Sequence, residues 1–479
     1  MKRVRGGEKK VTAEHPIVAK KIKKSLNLSI KEGGAASIAG GFGLSYFSPF
    51  ALAMNATSSQ IGILHAIIGL LPGIAQINSF TLLEKFSRKK IVLFGVLVKV
   101  LLFIPIILTG LLYYRGADYA VWILIGLVSL YYICGGINHP AWFSWMGSLV
   151  PESERGRYFS KRNRHIGLLG IITMIVGALI LDFFKDLGSV RGDILGYTLF
   201  GFGILFSLAM IFRTITLILL KKQYEPKLKI KKKDEFSLLK FLKEAPSNPF
   251  GRFTIYRGLF SVAIGISGPF WAVYLLRDLE MSYIWFMAIM ISGAFFQLIF
   301  LPAFGKASDR FGNIKLLKIC SRLSFLIPLL WIFSSFMGNI FYVKLYLLFV
   351  PAIVAGFVWA GHNLAANNYA YDALKSGKRA FGTAYMNLIV GIGTFVGAGL
   401  GSLIALSQFV FMNTLLFIIL ISGVLRFFVS FIGGKYLEEV RPVKKFSPQF
   451  FVKELEPREE VIREVHYLEH LAKKVEHYI

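Results

Sequence analysis

The sequence predicts an all-α polytopic membrane protein of twelve transmembrane helices, arranged as two pseudo-symmetric six-helix bundles. Three observations predict it. Apolar runs alternate with short charged connections along the chain, the cations gather in every second connection, and landmarks of the first half recur in the second at nearly constant spacing.

The first observation concerns composition. Of 479 residues, 55% are hydrophobic, 15% aromatic and only 17% charged, outside the usual range of water-soluble domains. A bilayer-spanning helix needs about 20 mostly apolar residues, because no water satisfies its backbone in the hydrocarbon. Such runs begin at roughly residues 34, 59, 90, 119, 165, 194, 252, 282, 314, 340, 381 and 409. Stretches Ser37 to Ser48 and Asn363 to Asn368 are the least apolar. The expected division is a basic tail (1–33), a six-helix bundle (34–220), a linker (221–250), a second bundle (251–435) and a tail (436–479).

The second observation concerns charge. Lys and Arg number 55 against 27 for Asp and Glu, a formal +28. Basic connections carry Arg88 to Lys90, then Arg155 to Arg164, then Lys221 to Lys243, then Lys306 to Lys315, then Lys375 to Arg379, and the connections between them are poor in cations. Cations in short loops mark the cytoplasmic side, so the expectation is a multi-pass cell-membrane protein with both termini cytoplasmic, its surplus charge facing anionic headgroups. Nucleic acid is then not needed to explain the charge, and no interleaved aromatic and basic platform accompanies it. Cys134 and Cys320 both lie in apolar runs, so a disulfide scaffold and a four-ligand zinc site are excluded. No cofactor or metal is expected, and the chain is read as a monomer.

The third observation is the repeat. Pro269-Phe270 follows Pro49-Phe50 by 220 residues (269 − 49), Asp309 follows Glu84 by 225 (309 − 84), and Arg379 and Asn387 follow Arg155 and Asn163 by 224 (379 − 155, 387 − 163). Between spans eight and nine stands Gly305-Lys-Ala-Ser-Asp309-Arg310-Phe-Gly312-Asn313-Ile-Lys315. This pattern resembles the signature loop of the major facilitator superfamily, with Asn313 where an Arg is expected and the cation regained at Lys315. The first-half copy, around Glu84, Lys85 and Arg88, keeps the acid and the cations but lacks both glycines. Pro151 to Arg157, answered weakly by Lys375 to Arg379, is a second family-like element. The resemblance implies alternating access, with a latch that closes the cytoplasmic end while the carrier faces outward. By analogy Asp309 or Arg310 pairs with Asp372 and Arg379, and Glu84 with Arg155 or Arg157. The plain alternative is a set of exposed ion pairs worth at most about 1 kcal/mol each.

Polar residues inside spans are costly and normally face a cavity or a partner. The expected pathway residues are Tyr46 and Pro49 in span one, His65 in span two, Lys99 in span three, Asn138, His139 and Trp142 in span four, Arg257 and Pro269 in span seven, and His362, Asn363 and Asn367 in span ten. Interhelical hydrogen bonding is the alternative for each, and packing for the Trp142 cluster. Lys99 lies nine residues past Lys90 (99 − 90), roughly 14 Å deep. Arg213, Arg322 and Arg426 are expected to snorkel toward headgroups. No Asp or Glu falls in mid-span, so proton coupling would rest on His65, His139 or His362. An anionic solute drawn by Lys99 and Arg257 is the other option. The expected function is movement of a small solute. The rivals are a sensor or scaffold acting through an amphipathic tail (Val461, Val465, Leu468, Ala472, Val475, Ile479) and, more remotely, a membrane enzyme, although no catalytic or phosphate-loop motif is present.

Overall fold

The computed structural model describes residues 16–150, 155–226, 238–374, 379–407 and 413–444. The first unit contains α1 (Pro16–Phe42), α2 (Phe47–Ala53), α4 (Arg88–Tyr114), α5 (Ala120–Leu149), α6 (Arg155–Arg191) and α7 (Ile194–Lys221). The second contains α8 (Leu238–Glu244), α9 (Pro249–Ser267), α10 (Phe270–Val273), α11 (Tyr283–Phe311), α12 (Asn313–Leu323), α13 (Leu326–Phe333), α14 (Ile340–Ala373), α15 (Arg379–Ile404) and α16 (Thr414–Ile432). Between α2 and α4 in sequence, α3 (Ser58–Lys85) is divided: Ala56–Gly73 belongs to the second unit and Ile74 onward to the first.

Eleven helical segments among the described residues are long and apolar enough to cross a membrane. The first expected span is not one of them. Its helix starts far before residue 34, carries Lys20, Lys21, Lys23, Lys24, Lys31 and Glu32, and breaks at Gly43 into a short turn before α2. The same break recurs in the second unit, where α9 ends at Ser267 and Pro269 caps α10. Pro49 and Pro269 therefore mark corresponding kinks in the leading helix of each half, as proline does where it removes a backbone donor.

Local chemistry sets the other boundaries. Asn248 accepts from Gly251 N (2.7 Å) just before Pro249, Asp193 accepts from Gly196 N (2.8 Å), and Asn413 accepts from Leu415 N (2.8 Å), each satisfying an orphan donor at a helix start. Phe94, Leu101, Leu108, Phe200, Leu403 and Phe428 stand exposed on the outer faces, an apolar surface that lipid covers. Within the second unit α3 approaches α15 closely. A Cβ on Gly69 would meet Thr394 Cγ2 at 2.7 Å, and one on Gly73 would meet the Leu388 backbone at 3.2 Å.

Candidate functional site

In the first unit the mid-span cations converge on one ring. Lys99 Nζ sits 4.7 Å from the centroid of Tyr131, and Arg213 Nη2 donates to the Tyr131 hydroxyl at 2.8 Å. Phe47 and Phe103 hold that ring edge-on, each at 5.7 Å. A desolvated cation gains from such an aromatic face. Arg213 thus turns inward to a buried tyrosine. Asn138 lies against Gly95, and its Oδ1 is buried with no hydrogen-bond partner.

A second centre forms in the other unit. Arg257 Nη1 stands 2.8 Å from His362 Nε2, and His362 Nδ1 stands 3.0 Å from Ser321 Oγ. A guanidinium only donates, so Nε2 accepts and the imidazole is the neutral Nδ1–H tautomer, donating to Ser321. Phe260 stacks on the ring at 4.9 Å and Trp359 meets it edge-on at 5.5 Å; His362 is 1% exposed. Arg257 Nε has no partner. In α16, Arg426 is 2% exposed and donates to Ser267 Oγ at 3.0 Å. This corrects the expected snorkelling of Arg426: its face of α16 packs against α9, so the guanidinium has no route to headgroups. Arg322 rests over the Phe431 ring at 4.8 Å.

The repeat is sharpest between α5 and α14. Asn138 and His362 are both buried, their neighbours His139 and Asn363 are both exposed, and each pair is 224 residues apart (362 − 138, 363 − 139). Asn367 is exposed one turn further on, and His139 stacks on Phe143 at 6.3 Å. His65 is half-buried in the part of α3 belonging to the second unit. Tyr46 is wholly buried, donating to the Met174 carbonyl, and it packs the core together with Pro49. Trp142 lies 4.5 Å from the Arg162 guanidinium. That arginine pairs with Glu32 at 3.3 Å and donates to the Ser29 carbonyl at 3.2 Å. Glu32 is 5% exposed, the most buried carboxylate among the described residues. Sequence reasoning missed it because α1 was expected to start after it; the run of apolar and small residues on its C-terminal side, Gly33 to Ala36, was the available sign.

At the basic end of the second unit, the motif is mostly helix. Residues Gly305 to Phe311 complete α11, and the turn is Gly312 alone, at φ +84°, a conformation that favours glycine. In the first-half copy the link is Phe86-Ser87 in ordinary backbone, with Ser87 Oγ capping Lys90 N at 3.3 Å, so no glycine is needed. Asp372 does not meet Asp309 or Arg310. It accepts from Asn313 Nδ2 at 2.8 Å and pairs with Arg441 at 3.5 Å. Asn313, the departure from the pattern, is wholly buried and bridges Asp372 to Ser308. Asp309 is exposed, as is Glu84, and neither has an ion-pair partner among the described residues. Lys315 is also exposed, and the Arg310 guanidinium lies 5.7 Å from the Phe311 ring. The side chains of Arg155, Arg157 and Arg379, and the tail positions Val461 to Ile479, lie outside the described residues. An Asp309→Asn variant is expected to keep its thermal unfolding midpoint within about 1 °C of wild type, as exposed charges without partners contribute little. A drop of several degrees in a melting scan would show a missed contact.

The family model described as Major Facilitator Superfamily matches residues 33–266 and 253–471. The chain belongs to the major facilitator superfamily. It is a membrane transporter of small solutes, and not an enzyme. Solved structures agree on the fold. A point mutant of the nucleoside transporter NupG has a TM-score of 0.62 at 16% identity, covering 87% of this chain and 100% of its own. A bacterial homologue of the iron transporter ferroportin, inward-facing, has 0.60 at 13%, covering 92% and 100%. An auto-inhibited peptide transporter of the POT family has 0.63 at 10%, covering 88% and 98%. A search of curated proteins finds no match.

Proposed function

We propose that this transporter carries a small anionic solute by alternating access, with its basic ends and both termini in the cytoplasm of a cell whose plasma membrane it spans. One observation carries the reading. Lys99, Arg213, Arg257, Arg322 and Arg426 lie within spanning helices, and none has a carboxylate within ion-pair distance among the described residues. A charge held in a membrane without a counter-charge is expensive. An incoming anion lowers that cost, and binding energy is the return. Lys99 with Arg213 in the first unit, and Arg257 in the second, are the cations that offer this gain. His362 and Glu32 are the buried titratable groups available for proton coupling.

The test is counterflow in proteoliposomes with monocarboxylates, dicarboxylates, organic phosphates and neutral sugars in turn. Exchange is expected for an anion class alone, reduced about tenfold in Lys99→Met, the loss of about 1.4 kcal/mol of binding. Exchange of neutral sugars only, or undiminished anion exchange in Lys99→Met, sinks the proposal.

A further inference from the structure

Each unit is crossed at its basic end by the segment that leaves its last helix, and the same contact anchors both. In the first unit Trp145 Nε1 donates to the Tyr224 carbonyl at 2.9 Å; in the second the Tyr369 hydroxyl donates to the Glu438 carbonyl, also at 2.9 Å. The two donors are 224 residues apart (369 − 145), the spacing of the repeat. A lysine on the neighbouring helix reinforces each: Lys89 Nζ reaches the Gln223 carbonyl at 2.7 Å and Lys318 Nζ the Leu437 carbonyl at 3.0 Å.

The two straps differ in how they are held. The first is sealed. Arg88, 1% exposed, donates to Ser148 Oγ at 2.7 Å and the Ser144 carbonyl at 3.0 Å, and pairs with Glu225 at 3.3 Å. Gln223 is buried and Tyr224 N donates to the buried Ser25 Oγ at 2.8 Å. The second is held by charges at the surface. Glu438 takes both terminal nitrogens of Arg252 at 3.0 Å, yet its side chain is 61% exposed. Glu439 accepts from Ile314 N at 2.9 Å, capping α12 where the Gly312 turn opens it. Arg441 spans Asp372 and the Ser308 carbonyl, and Lys444 N donates to the Arg310 carbonyl at 3.1 Å. Of this segment only Leu437 is a buried apolar anchor. Exposed ion pairs are weak and salt screens them, whereas buried apolar and hydrogen-bonded contacts resist it.

We infer that the end of α11, the Gly312 turn and Asp372 form a docking site for the chain's own segment 437–444, a strap held by charge and reversibly released, while the corresponding strap 222–226 is permanent. The motif residues therefore bind the chain's C-terminal segment in addition to any part they play in gating. Release frees Arg252 and the α12 N-terminus and leaves Asp372 with Asn313 as its remaining partner.

The test is disulfide trapping in the full-length protein in proteoliposomes. The backbone bond between residues 310 and 444 brings their Cα atoms to about 6 Å, within disulfide range, so Arg310→Cys with Lys444→Cys reports the docked strap. Ser25→Cys with Tyr224→Cys reports the sealed one. Under brief oxidation, raising sodium chloride from about 0.05 M to about 1 M is expected to lower the 310–444 yield at least about threefold and leave the 25–224 yield unchanged. Adding Arg441→Gln is expected to lower the 310–444 yield at low salt as well. A 310–444 yield indifferent to salt overturns the inference, and so does an equal fall in both pairs, which would mean general loosening. The salt comparison needs no variant beyond the reporter cysteines, so misfolding of Arg441→Gln leaves it decisive.

Discussion

Replacing Arg88 with Met is expected to lower the unfolding free energy by about 3 kcal/mol, the largest stability effect of any substitution considered. The guanidinium is buried, and its removal strands several acceptors at once: Ser148, the Ser144 and Pro226 carbonyls and the carboxylate of Glu225. Breaking one partner of a buried ion pair costs about 3–5 kcal/mol, and the partial exposure of Glu225 favours the lower figure. Arg252→Met is the matched control, since its partner Glu438 is mostly exposed, and it is expected to cost under about 1 kcal/mol. Equilibrium unfolding in mixed micelles measures both. Equal losses would mean that burial does not distinguish the two ends, and adding Glu225→Gln to Arg88→Met should recover part of the loss.

Arg257→Leu is expected to separate folding from transport. Removing a buried charge that has no counter-charge relieves its desolvation cost, which offsets the hydrogen bond lost to His362 Nε2, so the unfolding midpoint should stay close to the wild-type value. Anion exchange should fall about thirtyfold or more, because losing a desolvated charge from a binding site costs about 2 kcal/mol or more. His362→Gln should retain most of the exchange. A glutamine amide can accept from Arg257 and donate to Ser321, as the neutral Nδ1–H tautomer does. Full exchange in Arg257→Leu would remove Arg257 from the solute site.

Much of the architecture was readable from the residues because it follows from one-dimensional quantities. Span length and the spacing of Pro49 and Pro269 both concern distance along the chain, and each has its counterpart in the helices. The register of the repeat was legible too, since Asn138-His139 and His362-Asn363 stand 224 residues apart (362 − 138, 363 − 139) and share one pattern of burial within their own helices. What differed was where the first helix begins. α1 starts at Pro16, yet its lysines read as a tail, because hydropathy sums side chains without knowing which face they occupy, and Glu32 was overlooked with them. Arg426 failed for the same reason: depth in a span says nothing of whether a side chain faces lipid or protein. The partners of Asp372 could not be foreseen either. Asn313 is adjacent to the motif, but Arg441 lies beyond the last span, and its return to Ser308 and Asp372 is a contact between segments far apart in the chain.

The sequence by itself determined that this chain spans a membrane many times, in two related halves, with cations inside the spans that no neighbouring acid in the sequence neutralises. Hydrophobic burial and the need to satisfy backbone groups in lipid act on composition and length, which are legible without a fold. Only the tertiary structure decided which cations share Tyr131, that Arg257 holds a neutral His362, that Glu32 is buried against Arg162, and that one strap is sealed while the other is held by exposed charge. The physical reason is that an ion pair or hydrogen bond depends on separation in space and on the water removed around it, and both are set when the helices pack.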